Sequence, residues 1–177
     1  MEVLQGRPTD ETGRLEKEIA VYDLLDKLDI PFRRVDHVHA DTMEMCQEID
    51  QALGQDICKN LFLCNRQKTK FYLLLMPGDK PFKTKDLSAQ IGSSRLSFGG
   101  AEEMERLLNL TPGSVTVLGL MYDPDCQVTL LIDQDLYQQS AFGCHPCINT
   151  STVQFSTADF REKLLPALGH PVTLVQL

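Results

Sequence analysis

Two runs in the first half of the chain, NLFLCN at 60–65 and KFYLLLM at 70–76, constrain its fold more than any other feature. Both are apolar and β-prone, and the polar stretch RQKT joins them, so together they predict a β-hairpin. Helical and strand patterns alternate around it. Leu15, Ile19, Tyr22, Leu25 and Leu28 recur at helical spacing until Pro31 closes that helix, and a short strand follows at Phe32–Val35. Thr42 is placed to cap a second helix ending near Gly54. The pattern then predicts helices over Thr84–Ile91 and Ala101–Leu108, and strands over Ser114–Leu118, Val128–Ile132 and Thr152–Phe155. A last helix, capped by Ser156 or Thr157, runs to Leu168 before the terminal strand VTLVQL. The short strand-to-strand links favour an α/β (α+β) fold, a mixed β-sheet or partly closed barrel with helices packed outside, over a regular βαβ winding.

A chain of 177 residues, 42% of them hydrophobic, is enough for one well-buried domain, and no Pro/Gly/Ser-rich linker divides it. We read residues 1–14 as a polar N-terminal leader and 15–177 as the domain. The leader, MEVLQGRPTDETGR, lacks the apolar run of a signal peptide, and no later segment approaches the roughly 20 apolar residues of a membrane span. The expectation is a cytoplasmic protein with no membrane partner. In that reducing compartment its six cysteines read as thiols, pocket residues or metal ligands and not as a disulfide framework. A formal net charge of −8 argues against gripping nucleic acid by bulk electrostatics, and no DNA partner is expected. The charge is uneven, however. Between Arg66 and Arg95 seven basic residues stand against only Asp79 and Asp86, which suits either a local contact with a polyanion or a solvated loop and helix face.

The stretch FGCHPCINTSTVQF at 142–155 sets Cys144 and Cys147 around His145 and Pro146. A redox pair needs its CxxC at a helix start, where the dipole lowers the thiol pKa, but INTSTVQF is rich in β-branched residues. A structural zinc site needs four ligands, and Cys58, Cys64 and Cys126 are scattered elsewhere. Packing of small apolar thiols is the plainer reading.

The order of motifs adds to these readings. LTPGSVTVLGL at 110–120, LLIDQDL and CHPCINTSTVQF together resemble the C-terminal half of the bacterial YbaK and prolyl-tRNA synthetase-associated editing family. Within that family the similarity is closest to its freestanding prolyl-tRNA editing members, which deacylate Ala-tRNA(Pro). HVHADTMEMC, CKNLFLCNRQKTKFYLLLMPGDK and SSRLSFGGAEEMERLLNLTPGSV extend the match to about residues 15–176. The resemblance implies strands around a small pocket and hydrolysis of the ester joining a mischarged amino acid to the terminal adenosine of tRNA. It places Lys59 at the functional lysine and Asn60 at the neighbouring asparagine. Gly113 and Ser114 begin the family's substrate-contacting Gly-x-x-x-Pro loop, with Val117 where proline is usual, a change that frees the chain. His145, Pro146, Asn149 and Thr150 match the family's HPxxNT stretch and are implied to line the pocket, with Cys144 and Cys147 as neighbours. The implied partners are the acceptor end of tRNA(Pro) and prolyl-tRNA synthetase; no cofactor and no metal is implied.

The residue types suit that chemistry. Ester hydrolysis needs a stabilised oxyanion and a positioned water; a Lys59 ammonium beside backbone N–H donors supplies the first, while Asn60 and His145 orient the adenosine or the water. Two other readings stay open at this point. One is a noncatalytic tRNA- or synthetase-binding module of the same fold, which Val117 encourages, and the other a zinc or redox protein using Cys144 and Cys147.

Overall fold

Nine strands fall into two sheets that face a common core. The computed structural model describes residues 1–177. In chain order the elements are β1 (Leu4–Gln5), α1 (Glu16–Lys27), β2 (Arg33–Asp36), α2 (Met43–Leu53), β3 (Lys59–Cys64), β4 (Phe71–Met76), α3 (Thr84–Ile91), β5 (Ser97–Phe98) and α4 (Ala101–Leu108). A 3-10 turn at Val117–Tyr122 leads to β6 (Val128–Asp133), and a second at Gln134–Gln138 leads to β7 (Ala141–Cys144) and β8 (Ser151–Ser156). A helical segment at 157–168, with a π-helical middle at Phe160–Leu164, precedes β9 (Val172–Val175).

The first sheet runs β1-β2-β8-β7 and is antiparallel throughout. The second runs β5-β3-β4-β6-β9. Its β3–β4 hairpin pairs Lys59 with Met76 and Cys64 with Phe71, whereas β6 and β9 add on in parallel. The mixed sheet is therefore present, and it is two sheets sharing a core.

Strand alternation divides the apolar residues between faces. Cys58, Phe62 and Cys64 point into the main core with Val21, Tyr22 and Leu25 of α1, Phe142 of β7 and Phe160. Phe142 stacks on Phe160 with centroids 4.1 Å apart, which locks the final helix to the first sheet. Leu63, Tyr72 and Leu74 face the other way and pack under Leu87 of α3. Each fully buried Leu or Phe contributes about 2 kcal/mol through removal from water. A third, small cluster of Val35, Ile49 and Leu53 seats α2 on β2.

Thr42 caps α2 by accepting the Met45 N–H, and Ser156 accepts the Asp159 N–H. The predicted strand over Ser114–Leu118 is absent. Gly113 takes φ +89°, Ser114 Oγ donates back to the Thr111 carbonyl, and the chain then tightens into the 3-10 turn, so β-branched composition loses to turn geometry. The strand β7 shows no alternation because Phe142, Gly143 and Cys144 are all buried, Gly143 in register with Gln154.

Candidate functional site

The two sheets are joined where β3 begins and β7 ends. Cys58 Sγ donates to the Gly143 carbonyl at 3.4 Å, and Asn60 Nδ2 reaches Cys58 Sγ at 3.3 Å. Asn60 Oδ1 accepts the Val117 backbone N–H at 3.0 Å, which ties the start of β3 to the 3-10 turn. These contacts frame a cavity of about 250 Å³ lined by Ile57, Cys58, Asn60, Gly113, Val115, Cys144 and His145. That volume is below the roughly 300–1,000 Å³ of drug-sized ligand sites, so the cavity suits a small group.

Gly113 stands at its wall. A Cβ there would come within 3.1 Å of Asn149 Nδ2 on a backbone with positive φ, so glycine serves both the turn and the close approach. Beyond Gly113, Asn149 belongs to a larger polar cleft of about 770 Å³, lined among others by Arg14, Asp36, Asp41 and Thr150. Asn149 is held in place at both ends: Oδ1 accepts the Ala40 N–H at 3.2 Å and Nδ2 donates to Asp41 at 3.1 Å.

His145 is oriented by its Nδ1, which lies 2.8 Å from the Ser151 carbonyl. A carbonyl only accepts, so Nδ1 carries the proton and a neutral ring leaves Nε2 as an acceptor without a protein partner. Burial pushes the His145 pKa down, against the Ser151 bond and with help from His37, whose ring centroid is 6.0 Å away. Neutral His145 is thus the form present at pH 7. His37 reaches the same region through Nε2 to Thr152 Oγ1 at 2.9 Å.

Lys59 lies on the other face of β3 from Asn60, with Leu61 and Leu63. Its backbone stands between two lining residues, but its Nζ donates to the Lys80 carbonyl and does not line the cavity. Lys80 itself is committed to Asp133 and Asp135. The Val117 side chain is fully buried in the main core, so its contribution at the site is the N–H given to Asn60, and Val115 forms the cavity wall in its place. Ser114 is buried within its own turn and Pro146 is buried beside Cys147. The structure thus brings Asn60, Gly113 and His145 to one cavity, sets Asn149 and Thr150 in the adjoining cleft, and leaves Lys59 at the rim of neither.

Sequence reasoning missed Ile57, Cys58 and Val115 as lining residues, and Arg14, Asp36 and Asp41 in the cleft. Arg14 ties leader to domain, as does Arg7 through Asp23 and Asp26: Arg14 donates to Asp36 at 2.9 Å and to the buried Glu18 at 2.8 Å, and Tyr22 Oη donates to Glu18 at 2.5 Å. Leu4 also pairs with Arg34, so the leader adds a strand to the first sheet.

All six cysteines are free. Burial pushes the Cys58 and Cys147 thiols up to about 12 and Cys144 higher still, so all three remain protonated and poorly nucleophilic. No three His, Cys, Asp or Glu side chains converge in metal-binding geometry, and no helix is long and apolar enough to cross a membrane.

Residues 37–163 match the family model described as the aminoacyl-tRNA editing domain. The prolyl-tRNA editing protein ProX of Acetoanaerobium sticklandii is 31% identical over 163 residues, covering 92% of this chain and 99% of its own length. Prolyl-tRNA synthetase associated domain-containing protein 1 of Danio rerio is 28% identical over 162 residues, with 90% and 86% covered. A solved structure described as a putative trans-editing enzyme for prolyl tRNA synthetase superposes with a TM-score of 0.65 at 17% identity, over 92% of this chain and 98% of that one, and so agrees in fold.

Proposed function

The chain belongs to the aminoacyl-tRNA editing domain family, and on that premise we propose that it hydrolyses Ala-tRNA(Pro) in the cytoplasm, acting in trans beside prolyl-tRNA synthetase. Its activity is that of an aminoacyl-tRNA deacylase, a carboxylic ester hydrolase acting on tRNA. What supports the finer reading is the convergence of Asn60, Gly113 and His145 on one cavity of about 250 Å³.

The aminoacyl group occupies that cavity, with its ester carbonyl toward Asn60 and the Gly113 backbone. Water bonds to the ester carbonyl carbon as His145 Nε2 takes one of its protons; the carbon–ribose oxygen bond then breaks and the His145 imidazolium returns that proton to the leaving ribose oxygen. Asn149 and Thr150, in the adjoining cleft, are offered to the ribose hydroxyls. Lys59 is assigned the cation that stabilises the oxyanion, and to serve there its amine must leave the Lys80 carbonyl, a charged hydrogen bond worth about 2 kcal/mol.

Alanine selectivity has a physical basis. A synthetase pocket that accepts proline discriminates against the smaller alanine by only about 1–3 kcal/mol, so a second, smaller sieve is needed. Overpacking a proline ring against Val115 and Ile57 costs about 1–3 kcal/mol. A panel of Ala-, Ser-, Cys- and Pro-tRNA(Pro) at equal concentration tests the reading. Preferential loss of alanine is expected; equal cleavage of Ala- and Pro-tRNA(Pro) would overturn the size sieve, and cleavage of none would overturn the deacylase.

A further inference from the structure

We propose that the open edge of β3 is a docking strip for the unpaired 3′ end of the RNA substrate, with the Phe98 ring as its stacking platform. This rests on the deacylase reading above and adds the route by which the polyanion reaches the cavity.

Strand β5 pairs with β3 only at Leu63 and Cys64, so residues 59–61 lie along an unpaired sheet edge. Phe98 is opposite Leu63 and projects to the same face as Lys59 and Leu61. Despite its size Phe98 is 64% exposed, and Phe82 holds it edge-on with centroids 6.2 Å apart at 64°. Phe82 thereby braces Phe98 on one side, and most of the ring is left to solvent. From Phe98 to Lys59 is four residues of strand, about 13 Å, and the cavity-lining Cys58 and Asn60 flank Lys59. The platform lies on the Lys59 face of β3 and the cavity on the Asn60 face, so a strip a few nucleotides long joins them by crossing the open edge at 59–61.

Charge selects the occupant. Lys83, Lys85 and Arg95 are exposed beside Phe82 and Phe98 in the sequence, and Lys85 and Arg95 share a shallow depression with Thr84 and Ser88. None of the three forms an ion pair, whereas Lys80 of the same loop is held by Asp133 and Asp135. The other exit from the cavity, the polar cleft, sets Glu18, Asp36 and Asp41 against Arg14, which is already paired with the first two, and Lys17, which donates to the Asn109 carbonyl. Carboxylates outnumber cations there, which leaves the cleft to the uncharged terminal ribose, while the phosphates follow the unpaired cations along β3. Glu102 and Glu103 at the start of α4 bound the strip on its far side and direct the strand toward 82–85. Exposed aromatic rings beside unpaired cations are how proteins hold unpaired bases, through stacking that tolerates any sequence.

Two substrates separate this strip from the catalytic site: alanyl-tRNA(Pro), and alanyl-adenosine, which ends before the strip begins. Phe98→Ala is expected to lower kcat/KM on the charged tRNA about tenfold and to leave alanyl-adenosine within twofold, while Phe98→Trp retains activity on both. Direct binding of a fluorescent unpaired RNA oligonucleotide ending in CCA, followed by anisotropy, should weaken with Phe98→Ala, with Lys83→Glu plus Lys85→Glu, and with added salt. Unchanged RNA affinity in these variants, or equal loss on both esters by Phe98→Ala, would overturn the strip. Failure of the wild type to cleave either ester would count against the deacylase, and the anisotropy arm would still decide the strip.

Discussion

Asn60 accepts the Val117 backbone N–H at 3.0 Å, and this one bond couples the first turn after the glycine loop to the strand that opens the cavity. Proline, which the resemblance puts at this position in relatives, has no N–H to give. The two chemistries at residue 117 are therefore alternatives, with Asn60 bound to the loop in one and left free to meet a ligand in the other.

Val117→Pro tests that coupling. The backbone accepts proline, since residue 117 opens the 3-10 turn and Thr116 before it is extended at φ −155° and ψ 150°. The variant loses one hydrogen bond and some buried apolar contact, for about 1–2 kcal/mol of stability. With Asn60 Oδ1 released, the ratio of Ala- to Pro-tRNA(Pro) hydrolysis should change. An unchanged ratio would show that the bond does not shape the cavity. Asn60→Ala removes the same bond together with the polar wall and should lower Ala-tRNA(Pro) hydrolysis at least tenfold.

The His145 pKa lies below the ordinary imidazole value because burial disfavours its charge. The unfolded chain therefore binds its proton at a higher pH than the folded one does. Its stability contribution is present above the ordinary histidine pKa of about 6.5 and is lost as pH falls below that value. Activity depends on the neutral ring, so kcat/KM should fall on acidification with a midpoint below 6.5. A profile that falls with a midpoint at or above 6.5 would remove His145 from the role of base; His145→Gln should abolish the acid limb along with most of the rate.

Arg14 carries the leader to the domain. Glu18 is 1% exposed and accepts from Arg14 and Tyr22, so Arg14→Ala leaves a buried carboxylate with one partner. Arg14 is itself partly solvated, which places the cost nearer about 2 kcal/mol than the 3–5 of a fully buried pair. Thermal denaturation should show a fall of about 4–8 °C. Arg14→Ala with Glu18→Gln should recover part of it, because no unpaired charge then remains.

Much of this architecture was legible where local chemistry marks it. The hairpin reads from its two apolar runs, α2 from Thr42 and Gly54, and α3 from its periodic pattern over Thr84–Ile91. Asn60, Gly113 and His145 are marked by the short motifs that carry the family resemblance. The cavity wall did not: Ile57 looks like an ordinary loop hydrophobic and Val115 like part of a strand until the fold brings them together. Arg14 and Asp36 meet across 22 positions, a separation at which no periodic pattern exists to be read. Strand alternation, which the resemblance does not take into account, sets neighbours on β3 on opposite faces and so separates Lys59 from Asn60.

Cys144 and Cys147 are 1% and 0% exposed, and their raised pKa values keep them as thiols. The pair Cys144→Ser and Cys147→Ser puts hydroxyls into apolar surroundings and should cost about 1–3 kcal/mol for each that finds no partner. The specific activity of the folded fraction should stay within about threefold of wild type. Complete inactivity of a folded double variant would restore a thiol role.

Lys59 is the sharpest test of the mechanism because its amine is bonded to the Lys80 carbonyl and lies across β3 from Asn60. If the amine moves to the ester during turnover, its charge is the essential property, and Lys59→Met, which keeps most of the apolar stem, should lower kcat about 100-fold while KM changes little. Lys59→Arg should recover part of that rate and no more, since a planar guanidinium does not reproduce the compact ammonium. Folding should be affected by only about 1–2 kcal/mol in either variant, the worth of one half-exposed bond to the 77–83 loop. A Lys59→Met enzyme within threefold of the wild-type kcat would show instead that Lys59 straps this loop to the strand, and that the oxyanion is held by Asn60 and the backbone of the Gly113 turn alone.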